Sequence, residues 1–424
     1  MRMKKKGIGG SQSASSSEET PLLIRHQSKK PVSSQLRTLA NVVIAIVGAG
    51  VLSLPYVFKR CGWLMSLLLL FSIAALTYYC MMLMVHTRRR LVVSRQILDE
   101  ISSFGDLGFV VCGPVGRLVV DFMILLSQAG FCVGYLIFIA NTMINLLNGD
   151  LASLGADFAW KNVYIWTCFP FQLGLNSIRS LTHLAPLSIF ADIVDLGAKV
   201  VVMIKEVRII WTSRPIVYAF GGISVFFYGV GVATFAFEGA GMVLSIESEM
   251  KDRDKFGRVL GLGMALISVS YGIFGLLGYL AFGDETSDII TTNLGTGLIS
   301  ALVQAGLCIN LFFSFPVMMH PVHEILERRL WGGAHCLWLR WVAVLLVSLV
   351  ALLVPNFADF LSLVGSGLCC GLGFVLPALF HFLVFKDDMD WKDWSVDVGI
   401  IAVGVVFAVS GTWSSLCEIF NVKR

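Results

Sequence analysis

Two nearly identical glycine strings interrupt long apolar stretches of this chain and constrain its fold more than any other feature. One is Gly-Ala-Gly at residues 48–50, with Pro55 shortly after it, and the other is Gly-Ala-Gly at residues 239–241. Such breaks free backbone N–H and C=O groups that lipid cannot satisfy, so at membrane depth they are tolerated only inside protein or along a cavity. The two strings are therefore predicted to lie in the interior, where free backbone groups can hold a ligand.

The composition excludes a soluble protein. Of the 424 residues, 56% are hydrophobic and only 14% are charged, and long apolar stretches recur throughout, which predicts an all-α polytopic membrane protein. The ten cysteines show no CxxC pairing and are interpreted as helix-packing residues. Because the chain has no nucleotide-binding loop, Ser/His/Asp grouping or HExxH motif, we predict that it is not an enzyme and uses no metal, cofactor or nucleic acid.

Eleven transmembrane helices are predicted from the apolar stretches. Their approximate limits are residues 37–58, 63–85, 116–147, 160–178, 184–204, 217–246, 257–281, 296–319, 337–354, 358–384 and 395–418. With the amino terminus in the cytosol, the arginine run 88–90 and the basic residues of 251–258 also lie there, as the positive-inside rule requires. The less apolar stretch between Ser94 and Arg117 is predicted to be an amphipathic cytosolic helix that leads into the third span.

Residues 1–36 form a serine-rich tail whose composition cannot bury a core, and we predict that this tail is disordered and cytosolic. Within it, Glu18 precedes Leu22 and Leu23 in the pattern of an acidic dileucine sorting signal, which clathrin adaptors read. A chance apolar pair explains the same residues about as well. A clathrin adaptor is a predicted partner only under the first interpretation.

Unwinding at both glycine strings would expose positive and negative helix ends inside the bilayer. That arrangement suits a ligand with both charges, such as an α-amino acid, and small residues let the backbone approach it closely. The alternative is that the glycines only permit tight helix packing, which is common in membranes. Their recurrence at corresponding positions favours a ligand site.

Glu238 immediately precedes the second glycine string. A charged side chain at mid-bilayer costs about 2.5–3.5 kcal/mol on insertion scales, which makes this residue a functional candidate. It can carry a proton that is coupled to transport, or it can hold the opened helix in place by accepting hydrogen bonds from freed N–H groups. Both interpretations stay open at this point.

Weaker candidates lie in other spans. Asn41 and Ser314 are candidates for coupling or gating, although a hydroxyl that caps a local helix distortion is the simpler explanation of Ser314. Gln128, Tyr135 and Asn310 are candidates for the pocket, with hydrogen bonding between helices as the alternative.

Long strings of this sequence resemble the amino acid/auxin permease family. They are NVVIAIVGAGVLSLPYVFKRCGW and FAFEGAGMVLSIESEMKDRDKFG, while SQAGFCVGYLIFIA, FPFQLGLNSI, LTHLAPLSIFADIVDLG and VPNFADFLSLVGS more narrowly resemble plant vacuolar amino-acid transporters. The resemblance runs from about Ser34 to the carboxyl terminus. It implies eleven helices in two inverted five-helix repeats of the LeuT type, with spans one and six broken. It also implies proton-linked export of neutral amino acids from vacuole to cytosol, across the vacuolar membrane.

Under this resemblance, residues 37–204 form the first repeat, residues 205–384 the second, and residues 385–424 the eleventh helix and the carboxyl terminus. The residues predicted by motif to contact the substrate are Gly48, Ala49, Gly50 and Val51 in span one, and Phe237, Gly239, Ala240 and Gly241 in span six. Relatives commonly have proline where this chain has Ser245, which leaves the break intact but puts the rigidity of the following half-helix in doubt. An amino-acid sensor of the same fold and a plasma-membrane importer are the alternative functions.

Overall fold

The computed structural model describes residues 33–95, 101–147, 157–178, 185–212, 215–295, 297–354 and 356–420. The predicted sorting signal at Glu18, Leu22 and Leu23 lies outside them. The described residues form a helical protein whose helices are α1 (Gln35–Ile46), α2 (Leu54–Cys61), α3 (Trp63–Arg95), α4 (Phe104–Leu147), α5 (Asp157–Asn176), α6 (Ala185–Thr212), α7 (Ile223–Ala236), α8 (Ala240–Glu249), α9 (Phe256–Phe282), α10 (Leu298–Leu330), α11 (Leu337–Leu353), α12 (Phe357–Val364), α13 (Leu376–Phe385) and α14 (Trp391–Ile419).

Helices occupy all eleven predicted spans. Within the described residues, seven are long and apolar enough to cross a membrane, or eight when the bent pair α1 and α2 counts as one span, and α11 is a shorter apolar helix. The chain is thus a polytopic helical membrane protein, and the count of eleven stays a prediction. The helix α6 is less apolar than these helices, because charged side chains interrupt it, among them Asp195, Lys199 and Glu206.

Three helices depart from the predicted limits. The predicted amphipathic segment joins the third span as one helix, α4, with a kink at Gly113, where φ is +66° just before Pro114. Such a backbone favours glycine, and proline cannot continue the hydrogen-bond pattern of the preceding turn. The helix α6 runs on to Thr212, so the predicted boundary between residues 204 and 205 falls inside it. The helix α10 continues past residue 319 to Leu330.

Both predicted breaks are present. After Ile46 the chain leaves the α-helix, and a 3-10 turn over Ala49–Ser53 leads into α2, with a bend of 52° across the break. In the sixth span α7 ends at Ala236, and α8 begins at Ala240 after three non-helical residues. The second break therefore lies over residues 237–239 and ends at the first glycine of the string that predicted it.

Contacts at one end of the protein tie the broken spans to their neighbours. The backbone N–H of Ser33, just before α1, donates to the carbonyl oxygen of Glu249 at the end of α8 at 3.1 Å. Glu247, also in α8, is buried and accepts hydrogen bonds from the guanidinium groups of Arg88 and Arg89 in α3. The half-helix that follows the second break is thus fixed to α3 by charge-assisted hydrogen bonds, which are stronger than neutral ones.

Candidate substrate site

The two breaks touch each other through their glycines. A Cβ at Gly50 would lie 3.0 Å from Cδ1 of Phe235 and 3.1 Å from Cα of Ala236, at the end of α7. A Cβ at Gly239 would lie 2.8 Å from Cγ1 of Ile46, at the end of α1. Each broken span therefore places a glycine against the helix end that borders the break in the other span. Only a hydrogen atom fits at these two positions without a shift of the neighbouring atoms.

Tyr271 of α9 joins the two breaks. Its buried hydroxyl lies 3.3 Å from the carbonyl oxygen of Ala236 and 3.5 Å from that of Ile46, the last residues of α7 and α1. Its ring lies beside that of Phe237, with the centroids 5.2 Å apart. The last carbonyls of a helix have no partner within the helix. The single O–H of Tyr271 lies within hydrogen-bond distance of one such carbonyl oxygen from each broken span.

An ion pair on α6 meets the first break. The ammonium group of Lys199 donates to the carbonyl oxygen of Gly48 at 3.3 Å and to Oδ2 of Asp195 at 2.5 Å. Lys199 is buried, and its positive charge lies where the backbone of the first span is open. A buried ammonium group needs both a counter-charge and hydrogen-bond acceptors, and here these come from Asp195 and the broken helix.

Glu238 caps the half-helix after the second break. Its Oε1 accepts a hydrogen bond from the backbone N–H of Ala240 at 3.1 Å, which satisfies one of the free donors at the start of α8. The side chain is partly exposed, and it borders the cavity between the breaks. This geometry accommodates both interpretations of Glu238, because a capping carboxylate that faces a cavity can also exchange a proton.

A cavity of about 100 Å³ lies between the two breaks. Seven of the predicted site residues line it: Gly48, Ala49, Gly50, Tyr135, Glu238, Asn310 and Ser314. The Ser314 hydroxyl donates to Oδ1 of Asn310 at 3.1 Å, so the serine orients a polar side chain of the cavity wall. The breaks, α4 and α10 therefore contribute to one site.

The other predicted site residues do not line this cavity: Asn41, Gln128, Val51, Phe237, Gly239, Ala240 and Gly241. Val51 and Phe237 are buried by packing, and Gly239 is occupied by its contact with Ile46. Gly241 is exposed and lies on α8, beyond the break. Gly239 and Ala240 lie where the second break ends and α8 begins, beside the cavity but outside its lining.

Several residues of the site were not predicted from the sequence: Phe131, Lys199, Phe235 and Tyr271. The rings of Phe131 and Phe235 meet edge to face at 4.6 Å on the cavity wall. The spacing of Asp195 and Lys199, four residues apart on one helix, indicates an ion pair. No sequence pattern shows that this pair lies against the first break, since that contact joins residues far apart in the chain.

A second and larger cavity, of about 550 Å³, lies at the end of α2. Its walls include Lys59, Asp288, Asp359 and Glu418, and Arg60 donates to Oε1 of Glu418 at 2.5 Å beside it. This cavity has charged walls and none of the freed backbone groups of the two breaks, so we place the substrate site at the smaller cavity. Among the described residues no group of His, Cys, Asp and Glu side chains could hold a metal ion.

Two broken helices that meet at a central cavity define the class of this protein: it has the LeuT-type fold of secondary transporters. A solved structure of Mhp1, a nucleobase-cation-symport-1 family transporter in a closed conformation with bromovinylhydantoin bound, has the same fold. The similarity has a TM-score of 0.54 at 17% sequence identity, and it covers 93% of this chain and 92% of Mhp1.

The chain belongs to the family of transmembrane amino acid transporter proteins, whose model matches residues 31–417. Amino acid transporter AVT3B of Arabidopsis thaliana is 65% identical over 95% of this chain and 97% of its own length. Vacuolar amino acid transporter 3 of Schizosaccharomyces pombe is 26% identical over 93% of this chain and 60% of its own length. The predicted family is confirmed, and its members are transporters and not enzymes.

Proposed function

We propose that this protein moves neutral amino acids from the vacuole lumen to the cytosol by proton-linked alternating access. The observation that carries the proposal is the cavity between the two breaks, where helix ends of both signs meet. The name of the yeast relative supports the vacuolar membrane as the location. The family supports amino acids as the substrates.

The two ends of an amino acid backbone match the two sides of this cavity. The 3-10 turn that begins at Ala49 starts at the cavity wall, and we expect the backbone N–H groups at its start to attract the carboxylate of the substrate. The carbonyl end of α7 at Ala236 and the carboxylate of Glu238 lie on the other side, where they attract an ammonium group. The proposed substrate therefore spans the cavity from one break to the other.

The walls of the cavity that would face the side chain of the substrate favour neutral amino acids. Its walls include Phe131, Leu311 and Met318, and the only charged residues among the described lining are Asp195, which pairs with Lys199, and Glu238. An acidic side chain would find no free positive charge on this wall, and its desolvation would oppose binding. An uncharged side chain keeps the benefit of apolar contact.

Proton linkage would supply the driving force. An acidic lumen favours protonation of a cavity carboxylate there and its release on the cytosolic side, and each pH unit is worth about 1.36 kcal/mol per coupled proton, or about tenfold in concentration ratio. Glu238 is the proposed carrier, because it lines the cavity and touches the second break.

Uptake into proteoliposomes with imposed pH gradients, screened against all common amino acids, tests the proposal. We expect saturable uptake of neutral amino acids that increases with the proton gradient. Saturable binding without uptake would instead identify a sensor. For the membrane address, a fluorescent fusion should mark the vacuolar membrane, and replacing Leu22 and Leu23 by alanine should redirect it if the dileucine signal acts. If the fluorescent fusion protein were found at the plasma membrane, this would favour the alternative function of a plasma-membrane importer.

A further inference from the structure

Glu206 of α6 is a buried acidic residue that the proposed site does not use. Its side chain is fully buried, with 0% exposure, and neither of its carboxyl oxygens has a hydrogen-bond partner among the described residues. Burying an ionised carboxylate without a counter-charge or a donor is far more costly than burying the neutral acid. These surroundings therefore favour the protonated form of Glu206 over the ionised form.

The carboxyl group of Glu206 lies where three helices meet. A Cβ at Gly278 of α9 would be 3.0 Å from Oε1 of Glu206 and 2.6 Å from Cγ of Pro55. Pro55 belongs to α2, the half of the first span that follows the break. The carboxyl group is thus enclosed at the junction of α2, α6 and α9, next to the half-helix that follows the first break.

Among the described side chains of these helices, no charged group neutralises Glu206. On α2, Lys59 donates to the carbonyl oxygen of Thr286, and Arg60 is paired with Glu418. On α6, Lys205 donates to Ser300, and Arg208 is exposed.

The elements packed on the other sides add no counter-charge either. The tyrosines of α9 are engaged elsewhere: Tyr279 with the backbone N–H of Tyr218, and Tyr271 at the two breaks. Within α10 and the 3-10 turn before it, the residues facing α6 from 290 to 310 include no Asp, Glu, Lys, Arg or His. A neutral carboxyl is compatible with these surroundings, whereas a carboxylate is not.

We propose that Glu206 is a second proton-binding residue of the transport cycle, protonated while α2 packs against α9 and ionised when this junction opens to water. The inference rests on the proposed proton-linked transport. Because only one of the two packing states tolerates the charge, the proton binds more tightly to the closed junction, and proton binding shifts the conformational equilibrium toward that state. The larger cavity lies about one helical turn along α2 from Pro55, since Lys59 is on its wall, and we expect water to reach the opened junction from there.

The sign follows from this difference. The larger cavity lies at the end of α2, on the opposite side of the membrane from the predicted cytosolic amino terminus, and this side is the predicted lumen. Acidification of the lumen therefore favours the closed junction, and alkalinisation favours the open one. A glutamine at position 206 keeps the shape of the neutral acid but cannot ionise. Glu206→Gln should therefore hold the junction closed irrespective of luminal pH.

Two measurements on the full chain test the inference. Infrared spectra recorded as the pH is raised should show a carbonyl band of a protonated carboxyl group that is absent in Glu206→Gln. The band should persist in Glu285→Gln, which removes an exposed acid near the same end. In proteoliposomes, transport by the unmodified chain should fall as luminal pH rises. The part of this slope that Glu206 contributes, at most about tenfold per pH unit for one proton, should be lost in Glu206→Gln, while the part carried by Glu238 remains.

The outcomes separate the inference from the proposed function. An unchanged carboxyl band in Glu206→Gln would overturn the proton site, and a lost band with an unaltered luminal pH slope would overturn its link to transport. If the unmodified chain shows no uptake at all, the proposed function fails, and the infrared spectra still decide whether Glu206 holds a proton. Glu206→Met, which is also uncharged, should reproduce the loss of the slope if the charge is what matters.

Discussion

The ammonium group of Lys199 lies 3.3 Å from the carbonyl oxygen of Gly48, and the same group pairs with Asp195. A residue of the fifth span thereby holds the open backbone of the first. Because the contact joins a charge to the break itself, the position of Lys199 depends on the conformation of the broken helix. This relationship makes the pair on α6 a sensitive point for testing the site.

Replacing Lys199 by methionine should lower substrate affinity by about 10- to 100-fold, because hydrogen bonds to charged groups contribute roughly 1.5–3 kcal/mol and Asp195 would lose its partner. Binding of radiolabelled neutral amino acids to the purified protein measures the effect. Lys205→Met is the matched control, since Lys205 lies on the same helix and donates to Ser300 away from the cavity. Equal affinities for the two variants would remove Lys199 from the site.

A series at Glu238 separates its two roles. Glu238→Gln retains an oxygen that can accept the hydrogen bond from Ala240 but cannot ionise, so it should weaken the response of transport to the pH gradient by the share of one proton while the protein keeps its thermal stability. Glu238→Ala should also lose the cap and destabilise the fold by about 0.5–2 kcal/mol. Melting curves and pH-dependent uptake report the two effects. Normal proton dependence in Glu238→Gln would assign a purely structural role.

The reciprocal glycine contacts predict which alanine substitutions are tolerated. Gly50→Ala and Gly239→Ala should each cost about 1–3 kcal/mol through overpacking, because their Cβ atoms meet the opposite span. Gly241→Ala is the control, since no atom lies within 4 Å of its Cβ position. Thermal melting and uptake distinguish them, and equal stability of all three variants would contradict direct contact between the breaks.

Gly48 tests the cavity without disturbing its walls. No atom lies within 4 Å of its Cβ position, and the residue borders the cavity. Gly48→Ala should therefore fold normally, whereas Gly48→Leu should fill the space between the breaks and reduce amino acid binding below detection. Gly241→Leu, outside the lining, serves as the control for size. Wild-type affinity in Gly48→Leu would place the substrate elsewhere.

The sequence predicted the membrane fold and both breaks because these depend on local chemistry: long apolar runs favour spans, and glycine weakens a helix wherever it lies. It could not predict the contacts of Lys199, Tyr271 or Glu206. Each contact depends on how a helix is rotated and which helix lies beside it. The charged residues from 205 onward in α6 predicted the end of a span there, because their partners could not be known from the sequence. The strings predict where a helix is weak, and packing decides how far it opens: the second break covers residues 237–239, and α8 already includes Ala240 and Gly241.

The reciprocal fit of the two breaks also restricts how this protein can change over evolutionary time. A mutation that adds a side chain at Gly50 collides with the end of α7, and one at Gly239 collides with the end of α1. Either change is acceptable only after the opposing span has first lost bulk at its own end. Substitutions at these positions in the two halves of the chain must therefore be correlated. Gly48 and Gly241 meet no atom of the opposite span, so they can change independently, within the limits set by substrate binding at Gly48 and by the surface at Gly241.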